Sequence, residues 1–307
     1  MFVMFYLPSF DSFFTILTGI GSTLLSEVIQ VNLGELLSQW LMLTSSRCRP
    51  ATVQCYRSAL SHVPEEMLVT EVTSISPAMW EAALCACAAQ YPRQAQLMHA
   101  ALRKCWNDGQ RLGLIPLDYT PYRNVLVPKH RPRPINYLLP EELSSYAAAA
   151  QATPAALPLL LMLLCGLRRG EAMGLKWSQI DERGMLMRID SQLVNGHDAP
   201  PKSRTSDRLV PICAEILTII KKFGDIDEKY CYNGGVDRLY AAHKAALAAA
   251  GINAHVTLHG LRHSCATAAL ASGADIKTVQ RILGHASFAI TADTYCHALL
   301  TSERRAI

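Results

Sequence analysis

The chain has 307 residues, half of them hydrophobic, which allows about two domains with a core each and excludes global disorder. Lys and Arg number 29 against 25 Asp and Glu, a net charge of +4 that permits a nucleic-acid partner without requiring one. The ten cysteines are scattered, with no CxxC and no Cys/His spacing suited to a structural zinc, so they read as free thiols of a reducing cytosol. Cys48, Cys55, Cys165, Cys213 and Cys265 have mostly apolar or small sequence neighbours and are expected to be buried.

Before Glu35 there are only two charged side chains, Asp11 and Glu27, and no Lys or Arg. The uncharged run from Ser12 to Ser26 is short for a bilayer span, and a secretory signal would carry a positive start. Residues 1–32 therefore read as an apolar N-terminal segment packing on the first domain, with no membrane role and a cytoplasmic protein. From 33 to 125 the pattern is helical. Leu33, Leu36, Leu37, Trp40 and Leu41 mark one helix, and Val53, Tyr56 and Leu60 a second after Pro50. Pro77 opens a third through Trp80 and Leu84, and Leu97, Ala101, Leu102, Cys105 and Trp106 stripe a fourth that ends near Gly113.

Residues 126–138 change character. Pro128-Lys129-His130-Arg131-Pro132-Arg133-Pro134 cannot be helical, because successive prolines remove donors and restrict their predecessors. The stretch is a basic, Pro-rich linker, either simply solvated or running along a DNA backbone where its charge meets phosphates. Residues 139–307 form a second domain. Pro140-Glu141-Glu142 opens a helix, and Ala155 to Leu164 is an apolar helix, too short to span a membrane, that Gly166 stops. The period then shifts toward two over Met185–Ile189 and Arg208–Ile212, with Asn195-Gly196 as the turn between them. Helices resume at Ala214, with Gly273 and Gly284 as stops and Asp275 as an N-cap. The expected fold is mainly α with a small antiparallel β-sheet: a helical domain, then a mixed α+β domain.

Five local signals follow one another in the second domain. Gly166-Leu167-Arg168-Arg169-Gly170-Glu171 sets an arginine at a turn before a helix. Pro201-Lys202-Ser203-Arg204-Thr205-Ser206-Asp207-Arg208 puts a lysine in a polar stretch leading into a strand. His259-Gly260-Leu261-Arg262-His263 places His and Arg on one helix face. Leu283-Gly284-His285 leaves a histidine just past a helix end, and Thr294-Tyr295-Cys296-His297 supplies a tyrosine ten residues later.

In this order the signals resemble the tyrosine site-specific recombinase (phage integrase) family, over the chain from about Leu139 to the end. The helical region resembles the family's core-binding domain more loosely, by pattern alone. The resemblance implies Tyr295 as nucleophile, with Arg168 and Arg262 on the non-bridging oxygens of the scissile phosphate. It implies Lys202 as the acid for the departing 5′ oxygen, His259 assisting proton transfer, and His285 donating to the phosphate. Glu171 matches an acidic position that supports the fold around Arg168. Arg204 competes with Lys202, whose stretch departs from the Gly-Lys-Gly form of some relatives. Arg169 is expected to be solvated or on phosphate, and His263 and His297 structural or on backbone. Implied partners are double-stranded DNA, a tetramer on two DNA sites, and accessory directionality or bending proteins.

Elementary chemistry agrees with such a set. Two guanidinium forks match the oxygens of a pentacoordinate phosphorus, as a single lysine would not. A tyrosine, with its pKa of about 10, needs a proton acceptor or electrostatic help at neutral pH. A phosphotyrosyl bond conserves the phosphodiester's energy, so no ATP is needed, and the sequence has no GxxxxGK[ST] loop. No carboxylate cluster suggests two metal ions, so neither metal nor cofactor is expected. Two other readings remain open: a type IB topoisomerase-like enzyme, and a non-catalytic DNA-binding relative.

Overall fold

The computed structural model describes residues 31–130, 136–200, 207–225 and 228–284. The chain divides into two units, Met1–Pro132 and Arg133–Ile307. The N-terminal segment up to residue 30, the linker residues 131–135, and residues 201–206 and 285–307 lie outside the described residues.

The first unit is helical: α1 (Leu33–Ser45), α2 (Pro50–Leu60), the short α3 (Glu65–Leu68), α4 (Pro77–Gln90) and α5 (Pro92–Arg111). Asn32 starts α1 by accepting from the Glu35 N–H, while the Glu35 carboxylate accepts from the Asn32 N–H. This reciprocal pair satisfies two amides that a helix start leaves without partners. Prolines open α2, α4 and α5, where the missing N–H costs nothing. The expected stripes become the core: Leu33, Leu36, Leu37 and Trp40 of α1 meet Leu84 of α4 and Met98, Leu102 and Trp106 of α5. Trp80 and Trp106 pack edge to face at 5.5 Å. Each fully buried large side chain contributes roughly 1.5–3 kcal/mol. Past α5, residues 126–130 hold no helix, and the Pro128 carbonyl accepts from the Gln96 side chain.

The second unit is mixed. Helices α6 (Glu142–Gln151), α7 (Ala156–Leu164) and α8 (Arg169–Met173) precede strands β1 (Ile180–Asp181), β2 (Leu186–Ile189), β3 (Gln192–Val194), β4 (His197–Ala199) and β5 (Arg208–Pro211). Helices α9 (Ala214–Phe223), α10 (Val236–Ala249), α11 (Leu258–Ala271) and α12 (Ile276–Leu283) complete it. Helix α7 is buried along its length from Ala156 to Leu163, which explains why it is apolar all round. It packs against α6, α9, α10 and α11 and forms the centre of the unit. A buried chain braces this centre: the Tyr146 hydroxyl meets His243 Nδ1 at 2.6 Å, and His243 Nε2 meets the Val256 carbonyl at 2.8 Å.

The fold class is as expected, with two corrections. The predicted strands do pair, β2 with β5, antiparallel, in the sheet order β1-β2-β5. The Asn195-Gly196 turn does not join them. It closes a separate hairpin, β3 with β4, both turn residues having positive φ. A turn signal identifies only the strands that flank it, here of three residues each. The second correction concerns the thiols: Cys165 is buried as expected, but Cys55 and Cys213 are exposed, and Cys48 and Cys265 are partly so.

Candidate active site

The site grows from three turns. After α7 the chain reverses at Gly166, whose φ of +64° is the left-handed geometry of a helix stop. A Cβ there would also meet Leu283 Cδ2 at 2.6 Å, so glycine is required both for conformation and for the close approach of α12. Arg168 follows as the residue before α8. Its N–H donates to Glu171 Oε2 (2.9 Å) and its guanidinium to Glu171 Oε1 (2.7 Å). Glu171 is thus the support for Arg168 that the sequence suggested.

Helix α11 carries His259 and Arg262 one turn apart. Thr257 caps it by accepting from the Gly260 N–H. Arg262 is 1% exposed, an extreme burial for a guanidinium. It donates to the Gly166 carbonyl (2.6 Å) and to the Leu283 carbonyl (2.5 Å). The His259 ring is exposed and stands perpendicular to His263 at 4.7 Å. Partial desolvation first, then the charges of Arg262 and Arg168, lower its pKa from the ordinary histidine value. The shift favours the neutral ring, the form that can accept a proton.

Helix α12 provides the third turn. Asp275 caps its start, and Gly284, at φ +66°, ends it. The last carbonyls of a helix lack intrahelical donors and carry its partial negative charge. Here they receive arginines from three different elements. Arg208 Nε donates to Ile282 (2.6 Å), Arg262 Nη2 to Leu283 and Arg168 Nη2 to Gly284 (2.8 Å). Since Leu283 and Gly284 are consecutive, Arg168 and Arg262 are anchored to neighbouring carbonyls. The structure thus brings together Arg168, His259 and Arg262 at the end of α12. Lys202, His285 and Tyr295 lie outside the described residues, as do Arg204 and His297; His285 directly follows the Gly284 carbonyl that Arg168 holds.

With this geometry in place, comparison with known proteins identifies the chain. The model of the phage integrase family matches residues 136–301. The chain belongs to the phage integrase family. A XerC-like tyrosine recombinase of Caldanaerobacter subterraneus subsp. tengcongensis is 26% identical over 183 residues, 48% of this chain and 46% of that protein. The chain spans about half the length of the curated relatives it matches. The integrase of transposon Tn1549, solved in complex with transposon right end DNA, gives a TM-score of 0.71 at 16% identity, covering 90% of this chain and 98% of that one. The lambda integrase tetramer bound to a Holliday junction gives a TM-score of 0.66 at 18% identity, covering 90% and 85%. These likenesses are of fold.

For this phage integrase family member, sequence reasoning missed Arg208. It donates to both oxygens of Glu171, at 3.1 and 2.9 Å, with its side chain 4% exposed. A signal was available. In β5 the alternation buries Arg208 with Val210, so an arginine occupied an inward strand position and needed a buried partner. Between two guanidiniums Glu171 is held at about 2: burial alone would raise it, but the Arg208 hydrogen bonds and the Arg208 and Arg168 charges outweigh burial. Arg169 is exposed, as expected for a solvated residue, but is engaged by the Tyr240 hydroxyl at 2.8 Å, with its guanidinium over that ring.

Proposed function

We propose that this chain is a site-specific DNA recombinase that cuts and rejoins DNA through a 3′-phosphotyrosyl intermediate. The observation that carries the reading is the pair of guanidiniums, Arg168 and Arg262, anchored on consecutive carbonyls, with His259 one helical turn from Arg262. Two adjacent forks suit two non-bridging oxygens of one phosphodiester, and the negative charge that builds there in the transition state is what they stabilise. Arg168 is 28% exposed while Arg262 is buried, so Arg168 presents the open face to a phosphate.

In this scheme the Tyr295 oxygen attacks phosphorus, the P–O5′ bond breaks, and the DNA strand is left joined to the enzyme through its 3′ phosphate. The tyrosine proton passes toward His259. Lys202 supplies the proton that the departing 5′ oxygen takes up, and His285 donates a hydrogen bond to the phosphate. Attack by a 5′ hydroxyl of a partner strand reverses each step and releases the tyrosine. The helical residues 33–125 act as the core-binding domain, and the basic linker 126–138 follows the phosphate backbone. The relatives' names and the lambda integrase tetramer support a tetramer of this chain acting on two duplex sites.

The test is covalent trapping on a nicked DNA site. The unaltered chain should give a protein–DNA adduct resistant to denaturation. Tyr295→Phe removes one oxygen and little volume, so it should bind the site and give no adduct. An undiminished adduct from the variant would place the nucleophile elsewhere. Strand exchange that needs two copies of one sequence distinguishes recombination from mere relaxation of supercoils.

A further inference from the structure

We infer that Arg208 is a positioning residue of this site, one that neutralises Glu171 so that the charge of Arg168 stays available to the scissile phosphate. The inference rests on the recombinase reading above.

Glu171 has one negative charge and two arginines. Arg208 grips both of its oxygens, while Arg168 reaches one with its guanidinium and the other with its backbone N–H. The burial of the two arginines differs: the Arg208 side chain is 4% exposed and that of Arg168 28%. The buried fork therefore shares the carboxylate's charge, which Arg168 would otherwise meet alone at this carboxylate. The less of the Arg168 charge the carboxylate takes up, the more of it acts on a phosphate at short range. Were Arg208 absent, the whole carboxylate charge would fall on Arg168 and oppose the field that a phosphate needs.

Arg208 also joins parts of the site that are distant in sequence. Through Nε it holds the Ile282 carbonyl, two residues before the Gly284 carbonyl that Arg168 holds. It opens β5, six residues after Lys202, so the strand it anchors is where the Lys202 segment ends. One buried guanidinium thus sets Glu171, the end of α12 just ahead of His285, and the downstream end of the lysine's segment. A lysine could supply the charge there, but one ammonium cannot match a carboxylate fork and a carbonyl in the same plane.

The experiment measures single-turnover cleavage of a nicked core site, binding of that site, and the melting temperature. It compares the unaltered chain, Arg208→Gln, Arg208→Lys and the double variant Arg208→Gln with Glu171→Gln. Losing a phosphate-facing donor outright costs about a hundredfold, so weakening one through its partner should slow Arg208→Gln by roughly ten- to thirtyfold. Site binding should change by less than about threefold, since most DNA affinity comes from other phosphate contacts. Arg208→Lys should recover part of the rate. The decisive arm is the double variant, which removes the unbalanced carboxylate and should cleave faster than Arg208→Gln. A double variant slower than Arg208→Gln, or binding and cleavage falling together in step with melting temperature, overturns the inference. If Arg208→Gln does not fold, the double variant decides alone: folded and within about tenfold of the unaltered rate supports it, and a deeper loss or failure to fold overturns it. Absence of any adduct from the unaltered chain refutes the recombinase reading itself, and this inference falls with it.

Discussion

Replacing Glu171 by glutamine tests whether the carboxylate stabilises the fold as its contacts require. Its two oxygens accept four hydrogen bonds: from the Arg168 N–H, one Arg168 guanidinium nitrogen and two Arg208 guanidinium nitrogens. Glutamine keeps the shape but turns one oxygen into an amide that faces donors, and it leaves two arginine charges without their carboxylate. Two routes give the magnitude. Holding the carboxyl at about 2 rather than its ordinary 4.5 corresponds to about 3 kcal/mol at neutral pH. Removing one partner of a buried ion pair costs about 3–5 kcal/mol in general. Amide hydrogen exchange along α11 reads the opening of this unit directly, and about 3 kcal/mol should speed exchange roughly a hundredfold at pH 7. The sign in acid also follows. A depressed carboxyl stabilises fully above its unfolded value of about 4.5 and loses that contribution as pH falls toward 2. The gap between Glu171→Gln and the unaltered chain should therefore close in acid. A change below about threefold at pH 7, or a gap that does not shrink in acid, would refute this account of the carboxylate.

Gly166→Ala should destabilise the second unit by about 1–3 kcal/mol, through a strained φ and a Cβ driven into Leu283, and lower its melting temperature. His243 is buried between Tyr146 and the Val256 carbonyl, and desolvation first lowers its pKa. A base depressed in this way stabilises the fold above its ordinary value of about 6.5, so the opening free energy of α10, taken from exchange rates relative to the intrinsic rate at each pH, should fall between pH 7 and 5, and not in His243→Gln. Lys202→Ala should slow cleavage about a hundredfold or more, yet regain most of its rate when sulfur replaces the bridging 5′ oxygen, a leaving group that scarcely needs a proton. Recovery by Arg204→Ala instead would move the acid two residues along.

What the sequence revealed and what it hid divide along a physical line. Helix ends were legible because they are written locally: Gly166, Gly284 and Asp275 take the backbone geometry or the capping bond that their side chains favour. Asn195-Gly196 was equally local, and for that reason it misled. It specifies a hairpin between β3 and β4, whereas β2 reaches β5 by a non-local pairing that no turn residue encodes. The thiols show the same limit: an apolar neighbourhood along the chain does not say which face of a helix a residue occupies, and Cys55 faces solvent. In the site the kinds of side chain were readable, since arginine, histidine and glutamate advertise their chemistry. Their cradle was not. Arg168, Arg208 and Arg262 are oriented by the carbonyls of Gly284, Ile282 and Leu283, and a backbone carbonyl is the same group whatever residue carries it. Substituting Ile282 or Leu283 by another apolar residue of like size leaves those acceptors in place. Only a change that moves the end of α12 removes them, which makes Gly166 and Gly284, rather than the residues contributing the carbonyls, the positions on which the arrangement of the arginines depends.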